Sequence, residues 1–519
     1  MEQQEAWLLW ATLAVSLLSY LYLASLRRRR HGSAAARPLP PGPRPLPVIG
    51  NALDLRGGHL HHTLARLART HGPVMRLQLG PVPAVAISSR DAAREALTRH
   101  DRRLSGRYVV DAVRARGWAD RSLLNMASSD PLWMLQRGIL ASHVFSPRSL
   151  AAARGVRERK VRDLVGHFRA RAGTVVDFGR VLYGGMINLV SSAFFSVDVV
   201  VDVVGGDDAT GGSDSAAAAH GIREHVESIA DLMTKANVSD LVPFLRPLDL
   251  QGRRRAAARH LGEIYRVVDG IIERRLAENA GGAGDKKHGD FLQVLLDQMS
   301  AGKIDRGTVK AIVFEVFFAG GDTITITVEW AMAELLRNPS TMAKLRAEIN
   351  GALAGKDAIE EPDAAALPYL QAVVKEAMRL HPVGPLLVPH KAVEDGVEVC
   401  GYAVPRGSTV FVNVWAIMRD PALWEDPDEF SPERFLDKAA EVEFKGKDFE
   451  FIPFGSGRRQ CPGMPMAERV VPHVLASLLH AFEWRLPEGM TAEQLDVSER
   501  FTTGNVLAVP LKAVPVAIT

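Results

Sequence analysis

Cysteine is nearly absent from this chain: there are two in 519 residues, Cys400 and Cys461, far apart and in unlike surroundings. That scarcity excludes a disulfide framework. An excess of either charge is also missing. With 63 basic against 60 acidic side chains and a net charge of +3, composition offers no argument for a nucleic acid partner. No phosphate cradle occurs. Val204 to Ser213 and Asn279 to Lys287 are glycine-rich but lead into no Gly-Lys-Ser/Thr, and Gly351 to Asp357 is one residue short and ends in Asp. Flavin and dinucleotide fingerprints are lacking too, so any electrons must come from a partner, and there is no internal repeat. What remains is apolar bulk. Hydrophobic residues make up 47% and charged ones 24%, which allows a large core and excludes disorder.

From about Ala6 to Leu26 no residue is charged. A helix of about 20 residues spans a bilayer core. Glu2 and Glu5 precede this run and Arg27 to Arg30 follow it, so the positive-inside rule predicts that everything after residue 26 faces the cytosol. A cleaved signal peptide would need positive charge before the run and a small-residue cleavage site after it, and neither is evident. The expected order is an uncleaved anchor over 1–26, a basic stop and proline-rich hinge over 27–51, and a globular domain over 52–519. Six prolines between Pro38 and Pro47 make the hinge stiff and extended.

In the globular part, Gly72 to Gly80 and Ala84 to Ile87 alternate as a hairpin. From there to about residue 390 the pattern is mainly helical. Asp130-Pro131 starts a helix that puts Trp133 and Arg137 on one face at i, i+4. Residues 306 to about 337 form one long helix, apolar almost all round from Val309 to Ala319 and therefore buried. Its middle reads Ala319-Gly320-Gly321-Asp322-Thr323. Each internal glycine costs ~1 kcal/mol relative to alanine, so the pair should have a reason, such as a groove for a flat ring. Asp322 and Thr323 set an acid and an alcohol beside that gap. Glu376 and Arg379 stand at i, i+3 on a helix stopped by His381-Pro382, and Leu387 to Lys391, with His390, reads as a strand. Near the end comes Phe454-Gly455-Ser456-Gly457-Arg458-Arg459-Gln460-Cys461-Pro462-Gly463. A metal-ligating thiolate needs positive surroundings, here arginines two and three residues upstream and the N–H groups of a helix beginning near Met464. Gly457 and Gly463 allow positive φ and close approach of a flat cofactor.

These ten residues resemble the haem-binding signature of the cytochrome P450 superfamily, with Phe454, Gly457, Arg459, Cys461 and Gly463 at its fixed positions. The resemblance implies a mainly α fold with small β-sheets. It also implies haem b with Cys461 as axial thiolate, a ligand that favours O–O cleavage. In the family, the Trp133-x-x-x-Arg137 helix and the position of His390 reach the haem carboxylates. The Ala319-Gly320-x-Asp322-Thr323 segment resembles the oxygen-activating helix, where Thr323 is tied to proton delivery and Asp322 feeds water to it; Ile324 departs from the usual Thr or Ser. Glu376, Arg379 and Arg434 resemble a buried charge triad. The implied partners are an NADPH–cytochrome P450 reductase, with cytochrome b5 as an optional second donor, a lipophilic substrate and the endoplasmic reticulum membrane. Arg458 marks an expected docking face for the reductase.

Phe451 to Arg459, Thr327 to Met332 and Arg246 to Gly252 are similar to the plant geraniol-hydroxylase-like branch. The tail from Pro465 to Pro487 is similar to cereal hydroxylases of labdane-related diterpenes. Gln460, where those relatives carry a hydrophobic residue, is expected to alter hydrogen bonding near the sulfur. Phe314, Phe317, Phe318, Ala319, Leu386 to Val388 and Phe501 to Val506 are the candidate pocket residues. The alternatives are a hydroxylase of a monoterpenol, phenolic or xenobiotic, and a haem-thiolate isomerase or sensor that needs no electrons.

Overall fold

In the computed structural model of the chain the described residues are 15 and 37–519, apart from 48, 200–213, 236, 281–288, 353–354, 438–440, 503 and 519. The expected anchor and arginine run, and most of the two glycine-rich loops, lie outside them. The elements used below are α1 (Leu60–His71), α2 (Pro131–His143), α3 (Phe178–Phe195), α4 (Asp214–Thr234), α5 (Arg253–Ala280), α6 (Arg306–Arg337), α7 (Pro368–Leu380) and α8 (Met464–Ala481).

The largest sheet has five short strands in the order β1-β2-β5-β4-β3, with β1 Val74–Leu79, β2 Val82–Ile87, β3 Gly106–Arg107, β4 His390–Lys391 and β5 Thr409–Val412. The expected hairpin pairs Val74 with Ile87 and Leu79 with Val82. Of the segment expected as a strand, only His390 and Lys391 pair. In β4 His390 stands opposite Arg107 of β3. The proline-rich stretch is extended and docked on two sheets, because Pro41 O accepts Arg76 N–H of β1 at 2.8 Å and Pro38 O accepts N–H of Ala403, in a separate two-stranded sheet, at 2.9 Å.

The long helix α6 organises the helical part. It is capped by Asp305, whose carboxylate accepts Thr308 N–H at 2.7 Å, and runs 32 residues without a break. At ~1.5 Å per residue it crosses the molecule. Although long and apolar enough to span a membrane, it is mostly buried among α3, α5, α7 and α8, as a core helix would be. The glycine pair does not make the expected groove. A Cβ at Gly321 would stand 2.5 Å from Ile187 Cδ1, and one at Gly320 would stand 3.3 Å from both Val190 methyl carbons. The missing side chains let α3 approach α6 instead.

Behind the cysteine loop, Glu376 and Arg379 are both fully buried and joined at 2.7 and 2.9 Å, and Arg434 reaches Glu376 at 3.0 Å. The other donors of Arg379 meet the carbonyls of Met418, Pro427 and Glu429. At the C-terminal end, β6 (Glu499–Phe501) and β7 (Asn505–Leu507) form a hairpin fixed at its base. Glu499 Oε2 lies 3.1 Å from His61 Nε2 and 3.0 Å from His62 Nε2, while Oε1 lies 3.6 Å from His381 Nδ1 and 3.8 Å from Arg419. Although the two α1 histidines and Glu499 could hold a metal ion, Arg419 already supplies a cation to this carboxylate.

Candidate active site

The segment before α8 is a tight loop held by its own backbone. Cys461 N–H donates to Phe454 O at 3.0 Å and Gln460 N–H to Gly457 O at 3.1 Å. The positive φ falls on Gly455 and Gly457, at 68° and 67°, whereas Gly463 has φ −80°. At Gly457 a side chain would strike Leu97 O, 2.6 Å from the Cβ position. At Gly463 a Cβ would meet only the Cys461 sulfur, at 3.8 Å.

Cys461 is enclosed by the chain, yet its side chain is open to solvent-sized space. Burial pushes its thiol up, while the N–H groups of Gly463 and Met464 and the guanidinium of Arg137 oppose that rise. The helix N-terminus therefore acts on the sulfur as expected, but the upstream arginines do not. Arg458 pairs with Asp101 at 2.9 Å, which also partly neutralises it as a docking cation. Arg459 donates to Ser105 O at 2.8 Å, Leu123 O at 3.3 Å and Met126 O. Nor does Gln460 reach the sulfur. Its side-chain Nε2 donates to Lys445 O at 2.8 Å, and its main-chain carbonyl accepts Arg137 Nη2 at 2.8 Å.

Beside the loop lies a concentration of positive charge. Arg459 stacks over Trp133, 4.9 Å from the ring centroid, and Trp133 Nε1 donates to Leu123 O at 3.1 Å. Burial and the neighbouring Arg137 lower Arg459 to about 10, and burial and Arg459 lower Arg107 to about 9. His390 donates from Nδ1 to Leu104 O at 2.9 Å and is held neutral, at about 3, by burial and Arg107. Among the described residues no carboxylate forms an ion pair with Arg107, Arg137 or Arg459, and Arg107 Nε is buried without a partner. Mutually repelling buried cations with an orphaned donor call for an anionic ligand. Arg107 was not predicted, since its place opposite His390 comes from strand register alone.

On α6, Ala319 and Thr323 are exposed in the middle of an otherwise buried helix, so they border an internal space. Thr323 donates its hydroxyl to Ala319 O at 2.7 Å, which leaves the Oγ1 lone pairs free to accept. Asp322 is turned toward α3 and α4, where its charge acts on Tyr183 and Arg223. Ile324 is in the core, so its departure from the signature adds no apolar group to the open face. Phe314 and Phe317 are also core residues, packed edge-on against Trp118 and Phe195; the pocket expectation fails for both. Ala319, Val388 at 39% exposure and Phe501 at 41% are not packed in the core. Leu387 lies over the cysteine loop, 3.5 Å from where a Gly455 Cβ would be. At the hairpin turn, Gly504 packs on Val383 and on Ile326 of α6. Glu315, one turn before Ala319, was also missed, although an acid inside an apolar run is a visible signal.

The cytochrome P450 family matches residues 40–508 of the chain. Among similar proteins of Oryza sativa subsp. japonica, cytochrome P450 76M5 is 60% identical with all of both chains covered. Oryzalexin D synthase and ent-cassadiene C11-alpha-hydroxylase 1 are each 57% identical, again with both chains covered in full. A haem b carries two carboxylates and an iron. The unpaired arginines and orphaned Arg107 Nε fit the former, and an open sulfur at a helix N-terminus fits the latter. The chain belongs to the cytochrome P450 family and is a haem b monooxygenase, supplied with electrons from NADPH by a reductase and acting on a lipophilic substrate.

Proposed function

We propose that this protein hydroxylates a labdane-related diterpene. The observation that carries this reading is full-length identity of 57% to a protein named ent-cassadiene C11-alpha-hydroxylase 1, with the same level for oryzalexin D synthase. In this reading Cys461 ligates the iron. Arg137, Arg459, His390 and Trp133 orient the cofactor through its carboxylates, with Arg107 added to the set, and Phe454 packs beside it. When bound, the thiolate haem supplies oxygen activation: one oxygen atom enters a C–H bond and the other leaves as water, using two protons and two electrons. Thr323 holds and passes a proton at Oγ1. Asp322, on the neighbouring face of α6, relays protons from the α3–α4 side. Ala319, Val388 and Phe501 give the substrate an apolar wall.

The single-pass anchor over 1–26, the hinge over 27–51 and the catalytic domain over 52–519 facing the cytosol at the endoplasmic reticulum are part of the proposal. So are NADPH–cytochrome P450 reductase as the donor and cytochrome b5 as an auxiliary. Support comes from the charge asymmetry around residues 6–26. Exposed Leu39, Leu46, Ile49 and Leu53 after the anchor, and exposed Phe244, Leu248 and Leu250, suit a lipid surface. Co-expression with a plant reductase and a panel of diterpene cyclases, followed by product analysis, tests the reading. A new monohydroxylated diterpene is expected. Oxidation of only monoterpenols or phenolics from a parallel panel would overturn it.

A further inference from the structure

Glu315 is the one acid in the apolar first half of α6, and its carboxylate is spent on a single loop. Oε1 accepts Trp118 Nε1–H at 3.1 Å and the Ser122 hydroxyl, Oε2 accepts Leu123 N–H at 3.0 Å, and Leu124 N–H also donates to the group. Residues 118–126 have no helix or strand of their own, so these bonds, with the Arg121–Asp305 pair at 2.9 Å, fix them to the first turns of α6. Burial raises Glu315 to about 7 and the four donors pull the other way, as expected for a carboxylate that needs all of them.

The same loop meets the cofactor side. Leu123 gives its N–H to Glu315, while its carbonyl accepts Trp133 Nε1 and Arg459 Nη1. Ser122 donates to Glu315 and accepts Asn125 N–H at 3.1 Å and Asn125 Nδ2 at 2.8 Å. One residue, Leu123, thus joins the substrate-side helix to the arginine that flanks the cysteine loop. Glu315 also precedes Ala319 and Thr323 on the stripe i, i+4, i+8, so the loop it holds closes one end of the open face.

We propose that Glu315 is a positioning residue that clamps residues 118–126 between α6 and the cofactor-binding arginines, and so fixes how a lipophilic substrate is presented for oxidation. The chemistry requires a carboxylate. Two oxygens offer about four acceptor sites, whereas a glutamine offers one oxygen and turns an NH2 toward donors.

This inference rests on the monooxygenase reading, and its test separates the two. The full-length holoenzyme in lipid nanodiscs is compared as wild type, Glu315→Gln, Glu315→Asp and Ser122→Ala. Hydrogen exchange over residues 118–126 needs no substrate. Glu315→Gln should speed it at least tenfold and Ser122→Ala by less, with Glu315→Asp recovering part of the protection. Haem transfer to apomyoglobin should quicken about fivefold in Glu315→Gln while the reduced-CO thiolate band is kept. With the diterpene found by co-expression, the ratio of hydroxylated regioisomers should broaden while NADPH consumption holds. Unchanged exchange in Glu315→Gln overturns the proposal, as does an aspartate variant no better than the glutamine one. Failure of both Glu315 variants to take up haem, with Ser122→Ala normal, assigns Glu315 to folding and overturns it too. If the wild type oxidises no diterpene, the substrate reading falls and the exchange result still decides the clamp.

Discussion

Replacing Gly321 by alanine separates two explanations of the glycine pair in α6. Taken alone, a helix-interior glycine replaced by alanine gains ~1 kcal/mol. Here the new methyl would stand 2.5 Å from Ile187 Cδ1 and 3.1 Å from Cγ1, although the Ile187 Cα is a comfortable 3.7 Å away. Ile187 is 1% exposed, so its side chain has little space to retreat into. Overpacking of this kind costs ~1–3 kcal/mol, and the expected balance is a net loss of ~1 kcal/mol. Ile187→Val removes Cδ1 at a price of ~0.5–1.5 kcal/mol when made alone. Made together, the two changes should lose less than their sum by ~1 kcal/mol, because each relieves the contact the other creates. Urea unfolding of the holoenzyme, followed by near-ultraviolet circular dichroism, gives all four corners of the cycle. A Gly321→Ala variant at least as stable as the wild type, or additive losses in the double variant, would refute close α3–α6 packing as the reason for Gly321. Low haem uptake with unchanged stability would instead restore the groove.

Cys461→Ser should abolish the reduced-CO thiolate band while leaving circular dichroism intact, and a normal band would remove Cys461 as the ligand. Thr323→Ala should keep NADPH oxidation but release most of the electrons as peroxide or water, read as a lower product-to-NADPH ratio; full coupling would count against a proton role. Glu376→Gln should destabilise by ~3–5 kcal/mol in urea, because it strips the counter-charge from a fully buried Arg379, and Arg434→Lys should cost less. Burial raises Glu329 from near 4.5 to about 7. The folded chain then keeps a proton that the unfolded chain releases earlier, so stability should fall as pH rises from about 4.5 to about 7 and level off above. Glu329→Gln should flatten that slope by up to ~3 kcal/mol, and an unchanged slope between pH 5 and 8 would contradict the shift.

Elements with strong local rules were legible in the sequence. Asp130-Pro131 marks a helix start, and the Asp130 carboxylate accepts Leu132 N–H as a capping group should. The α6 span, the first hairpin and the start of α8 also followed from periodicity and spacing, whereas the Glu376–Arg379–Arg434 network followed from the family resemblance alone. The misses share a cause: direction across an element is set by packing. Nothing in Gly320-Gly321 says that the bare face meets α3. Nothing in Arg458-Arg459 says that one side chain pairs with Asp101 and the other reaches three carbonyls. Phe314 and Phe317 differ from Ala319 only in which side of α6 they occupy, and an all-apolar run carries no moment to tell them apart. Arg107 and His390 became neighbours through a register spanning 283 residues of chain.

The hairpin that carries Phe501 is held by ion pairs at one end and by packing and main-chain bonds at the other. Glu499 binds its base to α1 and to the end of α7, while around Gly504 the turn beyond Phe501 packs on Val383 and Ile326 and makes no ion pair among the described residues. Rigidity and variability are therefore divided within three or four residues. If Phe501 lines the substrate space as proposed, mutations in the turn would change which molecule fits without touching the ion pairs that hold the fold, and mutations at the base would not. Such a division lets a lineage diversify its chemistry cheaply, as would suit a group whose rice members differ in name and product yet share more than half of their residues with this chain.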